Sequence, residues 1–451
     1  MASQTNLTQD QIAAIERYGD EIKQLKDFQT GVRKRPSVYI GSLQNKGLQS
    51  MIKEIYQNAV DQLTDPTSPC DWIGFSYNEN TLEVSVEDTG KGFPRDKVIT
   101  IMTTMHTSKN FEKVKGRYSS GENGLGASIT CALSLSFVIE SYKYDGSAFR
   151  MSFERGYPTT KAPVDIPNKG KKQGTKITFI PDEEIMGEMN LSWQHVYKFV
   201  KLILSFTPIG SSVDFSAIDK QGVVHKEKIV NKDGIVTDII MKSNHPMVKP
   251  IICFADDGYR KVETAFTFDA GDKDGPDPIE DVTSFANWSP TMGGNHVDGV
   301  IAGICKFFTQ YMNNIFLAGT QQKNKKNPLK VVASDIKTGL KVIINAAHLE
   351  PQYSAQAKEV LSNPDMLDFA TNTVMQGLQE WAKNNPNDLL KLCKYFKDIA
   401  ELRLKQNSEK VKIVNKYQSN SITGYPAKYV KPIKHRKEFI IVEGDRQAHC
   451  L

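Results

Sequence analysis

Between Leu48 and Leu63 the apolar residues Leu48, Met51, Ile52, Ile55, Ala59 and Leu63 recur three and four apart, which predicts an amphipathic helix with one buried stripe. An earlier helix is predicted around 11–28. From Leu82 the pattern changes to alternation, Leu82, Val84 and Val86 against Glu83, Ser85 and Glu87, and this predicts a strand. Continuing the alternation puts Asp88 on the buried face. A glycine-rich loop then opens a helix near Ala127 that runs through Leu133. Asp145-Gly146 marks a hairpin turn, where glycine supplies a positive φ. A short strand, Lys176 to Ile180, follows Gln173-Gly174 and stops at Pro181. The polar, proline-containing stretch 241–250 reads as a domain boundary. Beyond it come a segment rich in Asp and Gly (256–278), an apolar helix from His296 to Phe316 and a strand from Leu340 to Ala346. A last helix is expected with Asn385 as N-cap and Pro386 in its first turn, running to about Gln406 as a strut.

Mixed helix and strand signals throughout give an α+β class. At 451 residues the chain exceeds what one core serves, so two or three domains are expected. Composition, 39% apolar and 24% charged, is that of a folded globular protein. The six cysteines are scattered with no C-x-x-C pair, against a zinc site or a disulfide framework and in favour of a reducing cytoplasm. No apolar run reaches the roughly 18 residues of a membrane span, and Met1 to Asp10 is polar, so neither anchor nor signal peptide is expected. The net charge of +5 hints only weakly at an anionic partner.

Three places carry candidate chemistry. On the Leu48–Leu63 helix, Glu54, Asn58 and Asp61 project within roughly 60° of one another. They form either a solvated polar face or a nucleotide site, in which Asn58 offers an amide oxygen to Mg²⁺ and Glu54 orients and deprotonates an attacking water. Asp88 ends an apolar row and is followed by Thr89-Gly90-Lys91-Gly92, where the backbone permits close approach. It is either a turn aspartate bonding its own loop or an acceptor for a base amino group such as that of adenine. Ser120, Gly121, Glu122, Asn123, Gly124, Leu125, Gly126, Ala127 and Ser128 lead into a helix, so amide groups there suit phosphates. The order G-x-x-G-x-G, with no G-x-x-x-x-G-K-[ST], disfavours P-loop and dinucleotide-binding enzymes.

Taken in this order, the three elements resemble the Bergerat (GHKL) ATP-binding fold of gyrase, a heat-shock chaperone family, histidine kinases and MutL. Arg33-Lys34-Arg35-Pro36-Ser37-Val38-Tyr39-Ile40-Gly41 narrows the resemblance to the type IIA DNA topoisomerases. His106-Thr107-Ser108-Lys109-Asn110 is similar to their ribose-contacting T-S-S-N, Gly174-Thr175 to the threonine turn near adenine, and Gly293 to Asp298 to G-G-R-H-V-D. Pro351 to Lys358 resembles the transducer loop P-x-F-x-x-Q-T-K, which implies Lys358 on the γ-phosphate with Gln356 and Ala357 beside it. Glu443-Gly444-Asp445 is similar to the opening of a TOPRIM cleavage domain, in which Glu443 would join a later D-x-D in holding Mg²⁺. No such triplet follows, which implies a chain cut short or one subunit of a split enzyme, unable to cut DNA alone. Thr89, Lys109, Ala357 and Arg446 depart from the family pattern. The mixture of bacterial and eukaryotic traits is most similar to the large subunits of T-even phage topoisomerases.

The resemblance implies an N-terminal arm (1–30), a GHKL ATPase domain (31–243), a ribosomal-S5-like transducer domain (244–405), and a helical linker with the start of TOPRIM (406–451). ATP and Mg²⁺ are the implied cofactors. Implied partners are duplex DNA, a second copy of the chain on ATP binding, and a subunit or domain carrying the cleavage tyrosine. Lys323, Lys325, Lys326 and Lys330 form a basic loop that is either merely solvated or, as in the family, set against DNA phosphates. A second cluster, Lys428 to Lys437, leaves the same two readings open.

Overall fold

A computed structural model describes residues 27–104, 114–116, 118–119, 124–170, 172–236, 242–271, 278–318, 329–354 and 358–419, with 8 and 239 as isolated positions. Three helices open it: α1 Phe28–Lys34, α2 Pro36–Ile40 and α3 Gln44–Thr64. Helix α1 crosses the expected boundary at residue 30. It starts where Asp27 accepts the Thr30 amide at 2.8 Å, satisfying a first-turn donor. Pro36 sits in the first turn of α2, and Gly41, at φ 76°, ends it. The predicted stripe of α3 is buried along its whole length. Each such aliphatic side chain contributes about 1.5–3 kcal/mol on burial.

The strands β1 Trp72–Asn78 and β2 Val84–Asp88 form the middle of the first sheet. The second begins two residues later than the alternation predicted. Asn78 Oδ1 accepts the Asn80 amide at 2.9 Å and Leu82 sits at φ 55°, so a tight loop takes up Leu82 before the ladder starts. Helices α4 Val98–Thr103 and α5 Gly126–Ala132 precede the hairpin β3 Ser134–Tyr142 and β4 Ala148–Glu154, whose turn holds Gly146 at φ 91° as expected. There follow β5 Tyr157–Pro158, β6 Val164–Asp165, β7 Gly174–Pro181, α6 Glu183–Met186, α7 Trp193–Leu204, β8 Ser212–Ile218 and β9 Val224–Val230. Strand order is β5-β4-β3-β7-β2-β1-β8-β9, with β6 on β4. Only β1 and β8 run parallel within it. Helix α3 packs on this sheet, and the hydroxyl of buried Tyr56 donates to the Val200 carbonyl of α7 at 3.1 Å.

A second sheet has the order β10-β11-β15-β12-β13, from β10 Ile251–Asp256, β11 Arg260–Phe268, β12 Asp281–Ala286, β13 Ser289–Thr291 and β15 Leu340–His348. The short strands β14 Gly293–Gly294 and β16 Val360–Leu361 pair separately. Around them lie α8 Asn295–Tyr311, α9 Ala333–Lys337, α10 Asp365–Asn384 and α11 Pro386–Ser419. The helix expected from His296 to Phe316 changes hydrogen bonding at Met312, where a π-turn, Met312–Phe316, takes over.

Two expectations about the last helix are corrected. The Asn385 side chain donates back to the Trp381 carbonyl at 2.9 Å, closing α10 instead of capping α11. The strut is also half core: Leu389, Leu392, Cys393, Phe396 and Ala400 are buried, with Phe396 5.1 Å from both Phe268 and Phe308. Past Arg403, which holds Asp335 at 2.7 Å, the helix is exposed over 404–415 and runs to Ser419, beyond the predicted end and across the expected boundary at 405/406.

The two sheets meet. Phe285, Trp288, Ala265, Ile343 and Ala347 of the second join the core of the first, and the Phe285 and Phe206 rings lie 4.5 Å apart. No helix among the described residues is long and apolar enough to cross a membrane.

Candidate nucleotide site

Helix α3 delivers Glu54 into a crowded corner. Its side chain is 22% exposed, with Lys358 Nζ at 3.6 Å and Lys53 Nζ at 3.9 Å from Oε1. Gly126, at the start of α5, lies against the other oxygen: a Cβ there would stand 2.0 Å from Oε2. Burial works to raise the Glu54 pKa, but the ammoniums of Lys358 and Lys53 outweigh it and hold the carboxyl below its ordinary range. Burial in turn lowers Lys53. The polar row of α3 is therefore not a solvated face. Asp61 is buried and accepts from the Ser119 hydroxyl at 2.7 Å. Asn58 is half-buried, and among the described residues nothing hydrogen-bonds its amide.

Asp88 closes β2 opposite Ile73 on one side and Thr175 on the other. It is half-buried, a correction to the buried position expected from alternation, because the ladder ends there and the chain turns at once. One oxygen accepts the Gly90 amide at 2.8 Å, so the turn-aspartate reading holds for that atom. Gly174, at φ 131°, has no room for a side chain: a Cβ would lie 1.8 Å from the Asp88 carbonyl, and this contact sets Thr175 beside Asp88. Around the turn, Ser141 Oγ accepts the Phe93 amide at 2.8 Å and Lys143 Nζ donates to the Lys91 carbonyl at 2.6 Å. Gly92 takes φ 71° against Ser141 and Lys143. Thr89 is bound to the Asp71 carboxylate at 2.9 Å instead.

Of the glycine loop, Gly124 onward is described. Leu125 is buried in the core, and Ser128 is turned inward, its hydroxyl donating to the Leu125 carbonyl at 2.9 Å, so that hydroxyl is not offered to a phosphate. Ala127 is half-buried beside it. Arg33 explains part of its own motif: it donates to the Ala132 carbonyl at the end of α5 (3.0 Å) and pairs with Asp182 (2.6 Å), holding the helix that starts at Gly126. Thr107, Ser108, Asn110, Ser120, Gly121, Glu122, Asn123, Lys323, Lys325, Lys326, Gln356, Ala357, Lys428 to Lys437 and Glu443 lie outside the described residues. Lys330 is exposed beside α11, its carbonyl accepting from Arg403.

Lys358 reaches Glu54 from the loop before β16, at φ 58° and 9% exposed. A cleft of about 400 Å³ opens there, lined by Lys46, Lys53, Glu54, Gly126, Met292 and Lys358 among others, while Asp88 and Thr175 do not line it. No cluster of three His, Cys, Asp or Glu that could hold a metal occurs among the described residues. A metal carried in by a polyphosphate needs fewer protein ligands, and the open amide of Asn58 beside a carboxylate fits that use. Lys53, whose charge bears on Glu54, and the contacts of Gln57, Asn287 and Trp288 beneath α3 carry no signature in the sequence pattern. An apolar residue in a two-residue turn gives no polar signal of its own.

Residues 221–412 match the family model described as DNA gyrase B, and residues 44–185 that of the histidine kinase-, DNA gyrase B- and HSP90-like ATPase. The chain is 28% identical over 447 residues to the DNA gyrase B protein of Archaeoglobus fulgidus, covering 96% of this chain and 67% of that protein. Against its counterparts in Thermotoga maritima and Helicobacter pylori the identity is 27%, with 96% and 94% of this chain matching 68% and 54% of theirs. Each of these relatives is thus considerably longer than the matched span. Among solved structures, the 43K ATPase domain of Thermus thermophilus gyrase B in complex with an aminocoumarin superposes with a TM-score of 0.63 at 24% identity, over 86% of this chain and 98% of that one. The ATPase region of Saccharomyces cerevisiae topoisomerase II gives 0.58 at 19%, over 85% and 100%.

Proposed function

Because the chain belongs to the ATPase-subunit family of type IIA DNA topoisomerases, we propose that it is the ATP-binding and ATP-hydrolysing clamp of such an enzyme, coupling ATP-driven pairing of two copies to passage of one DNA duplex through another. The observation that carries this is the meeting of Lys358, from the second domain, with Glu54 of the first. On this reading Glu54 orients and deprotonates the attacking water, Lys358 neutralises the γ-phosphate, and Asp88 with Thr175 receives the adenine edge. Mg²⁺, when bound with the nucleotide, neutralises phosphate charge, and Asn58 is the residue that would hold it. Thr107, Ser108 and Asn110 would face the ribose, the 120–124 loop the phosphates, and Gln356 and Ala357 would support Lys358.

The boundaries 31–243 and 244–405 are proposed as the ATPase and transducer domains. Lys323, Lys325, Lys326 and Lys330 would lie along DNA phosphates, with a salt-sensitive affinity and no base specificity. Glu443 would belong to a metal site completed elsewhere, and the cleavage tyrosine to another region or subunit. The scattered cysteines support a cytoplasmic location, and the mixture of bacterial and eukaryotic motifs a phage-type origin. Steady-state ATP hydrolysis decides the central point. Glu54→Ala is expected to fall about 10²–10⁴-fold, the usual weight of a general base, and an unchanged rate removes Glu54 from that role.

A further inference from the structure

Strands β12 and β13 are joined by only two residues, Asn287 and Trp288, since Ala286 faces Ser289 across the hairpin. Both have left-handed backbones, φ 45° and 64°, the geometry of a type I′ turn. Asn suits the first position. Trp at the second is a bulky residue where glycine is usual, and such a residue persists only where its surroundings hold it. Trp288 is 2% exposed and packs with the core of the first domain, while Lys261 lies 5.8 Å from its ring.

Each residue of the turn grips a different part of the nucleotide site. Gln57 Nε2, on α3 between Glu54 and Asn58, donates to the Trp288 carbonyl. Asn287 Nδ2 donates to the Ser119 carbonyl and the His348 carbonyl, each at 2.9 Å, and its Oδ1 accepts the His348 amide at 2.9 Å. Ser119 in turn donates to Asp61 and directly precedes the glycine-loop motif. The segment before it is tied to the second domain again, by the Tyr118 hydroxyl on Asp256 at 2.7 Å and the Gly116 amide on the Gly258 carbonyl at 2.7 Å.

We propose that Asn287 and Trp288 are positioning residues: through Gln57 the turn sets the helix that carries Glu54 and Asn58, and through Ser119 it sets the segment entering the phosphate loop. The second domain then addresses the site by a route separate from Lys358. The inference rests on the ATPase reading of the site. Because the two grips differ, they separate kinetically. Asn287 holds Ser119, which in turn binds Asp61 at the edge of the site, so its loss appears in KM; Trp288 governs where α3 holds the base, so its loss appears in kcat.

The test uses the full chain, with kcat and KM for ATP and the melting temperature measured for three variants. Asn287→Gly keeps the left-handed backbone and removes only the amide bridge. It is expected to melt below wild type, because the two bonds to His348 go with the side chain, yet to fold, to raise KM about fivefold, as loss of the one bond to Ser119 does, and to leave kcat within twofold. Trp288→Gly is expected to lower kcat at least tenfold, and Trp288→Phe, which refills the core, to recover to within threefold. A folded Asn287→Gly with wild-type KM overturns the inference, whether or not Trp288→Gly folds. A wild-type chain that neither binds nor hydrolyses ATP removes the proposed function and this inference with it; an active wild type with kinetically normal variants removes the inference alone.

Discussion

Gly126→Ala tests the placement of Glu54 without touching its chemistry. A Cβ at this position would lie 2.0 Å from Glu54 Oε2 and 2.8 Å from the carboxyl carbon. Ordinary contact begins near 3.4 Å, so the carboxylate must retreat by about 1.4 Å, roughly half the separation of a hydrogen-bonded pair. Retreat is possible because the colliding atoms end a flexible side chain. The substituted residue opens a helix without a left-handed φ, where alanine is favoured over glycine by up to about 1 kcal/mol. Stability should therefore hold while geometry fails. A misplacement of about 1 Å costs on the order of 100-fold in rate, and kcat for ATP hydrolysis is expected to drop by at least that factor with the melting temperature unchanged or slightly raised. Single-turnover hydrolysis alongside a thermal melt reads both. A folded Gly126→Ala within threefold of wild-type kcat would falsify the claim that Glu54 must sit where Gly126 leaves room for it.

Three further outcomes follow from the same geometry. Lys358→Met removes the larger of the two cationic influences on Glu54 and leaves burial less opposed, so the Glu54 pKa rises; since the ionised form is the base, the acid limb of the kcat/KM profile should move to higher pH, and an unmoved limb would separate Lys358 from Glu54. Asp88→Asn keeps the acceptor for Gly90 but loses the charge that would hold a base amino group, and isothermal titration with a non-hydrolysable ATP analogue should show affinity weakened by about tenfold or more; equal affinity would leave Asp88 as a turn residue only. Replacing Lys323, Lys325 and Lys326 together by alanine should abolish stimulation of ATP hydrolysis by duplex DNA and flatten its salt dependence while the DNA-free rate stays intact, and stimulation that persists excludes the loop from DNA contact.

How far the sequence spoke for this molecule depended on whether a residue's role is local. The stripe of α3 and the turn at Gly146 are dictated by near neighbours, so periodicity and one glycine were enough. Leu82 misled because alternation cannot see that Asn78 closes a loop two residues on. Asn385 misled because a polar residue before proline suits the end of one helix as well as the start of the next, and only the Trp381 carbonyl decides between them. At the site, Glu54 and Asn58 were visible as a polar row beside an apolar one, yet whether that row met water or protein was not. The answer lay more than three hundred residues away, at Lys358. Lys53 and Trp288 escaped notice for a related reason: a lysine on a helix and a tryptophan in a turn acquire their meaning only from the domain packed over them.

The Lys358–Glu54 pair also bears on why the site is divided between two domains. A carboxylate held below its ordinary pKa is a weak base, and in this arrangement two cations keep Glu54 in that state. A γ-phosphate carries more negative charge than one carboxylate and would compete for Lys358. Drawn toward the phosphate, the lysine would relax its hold on Glu54, whose pKa would then rise under burial toward the range in which a carboxylate takes a proton from water. Nucleotide binding would thus strengthen the base and shift the loop of the second domain in one movement. Because Lys358 sits at φ 58°, a backbone state that a lysine adopts only under constraint, the loop is poised at some cost to itself. A lysine supplied by the ATPase domain itself could neutralise the phosphate equally well, but its displacement would leave the second domain where it was. On the proposed reading, placing the charge on the neighbouring domain would let loss of the γ-phosphate be felt as a loss of contact between domains.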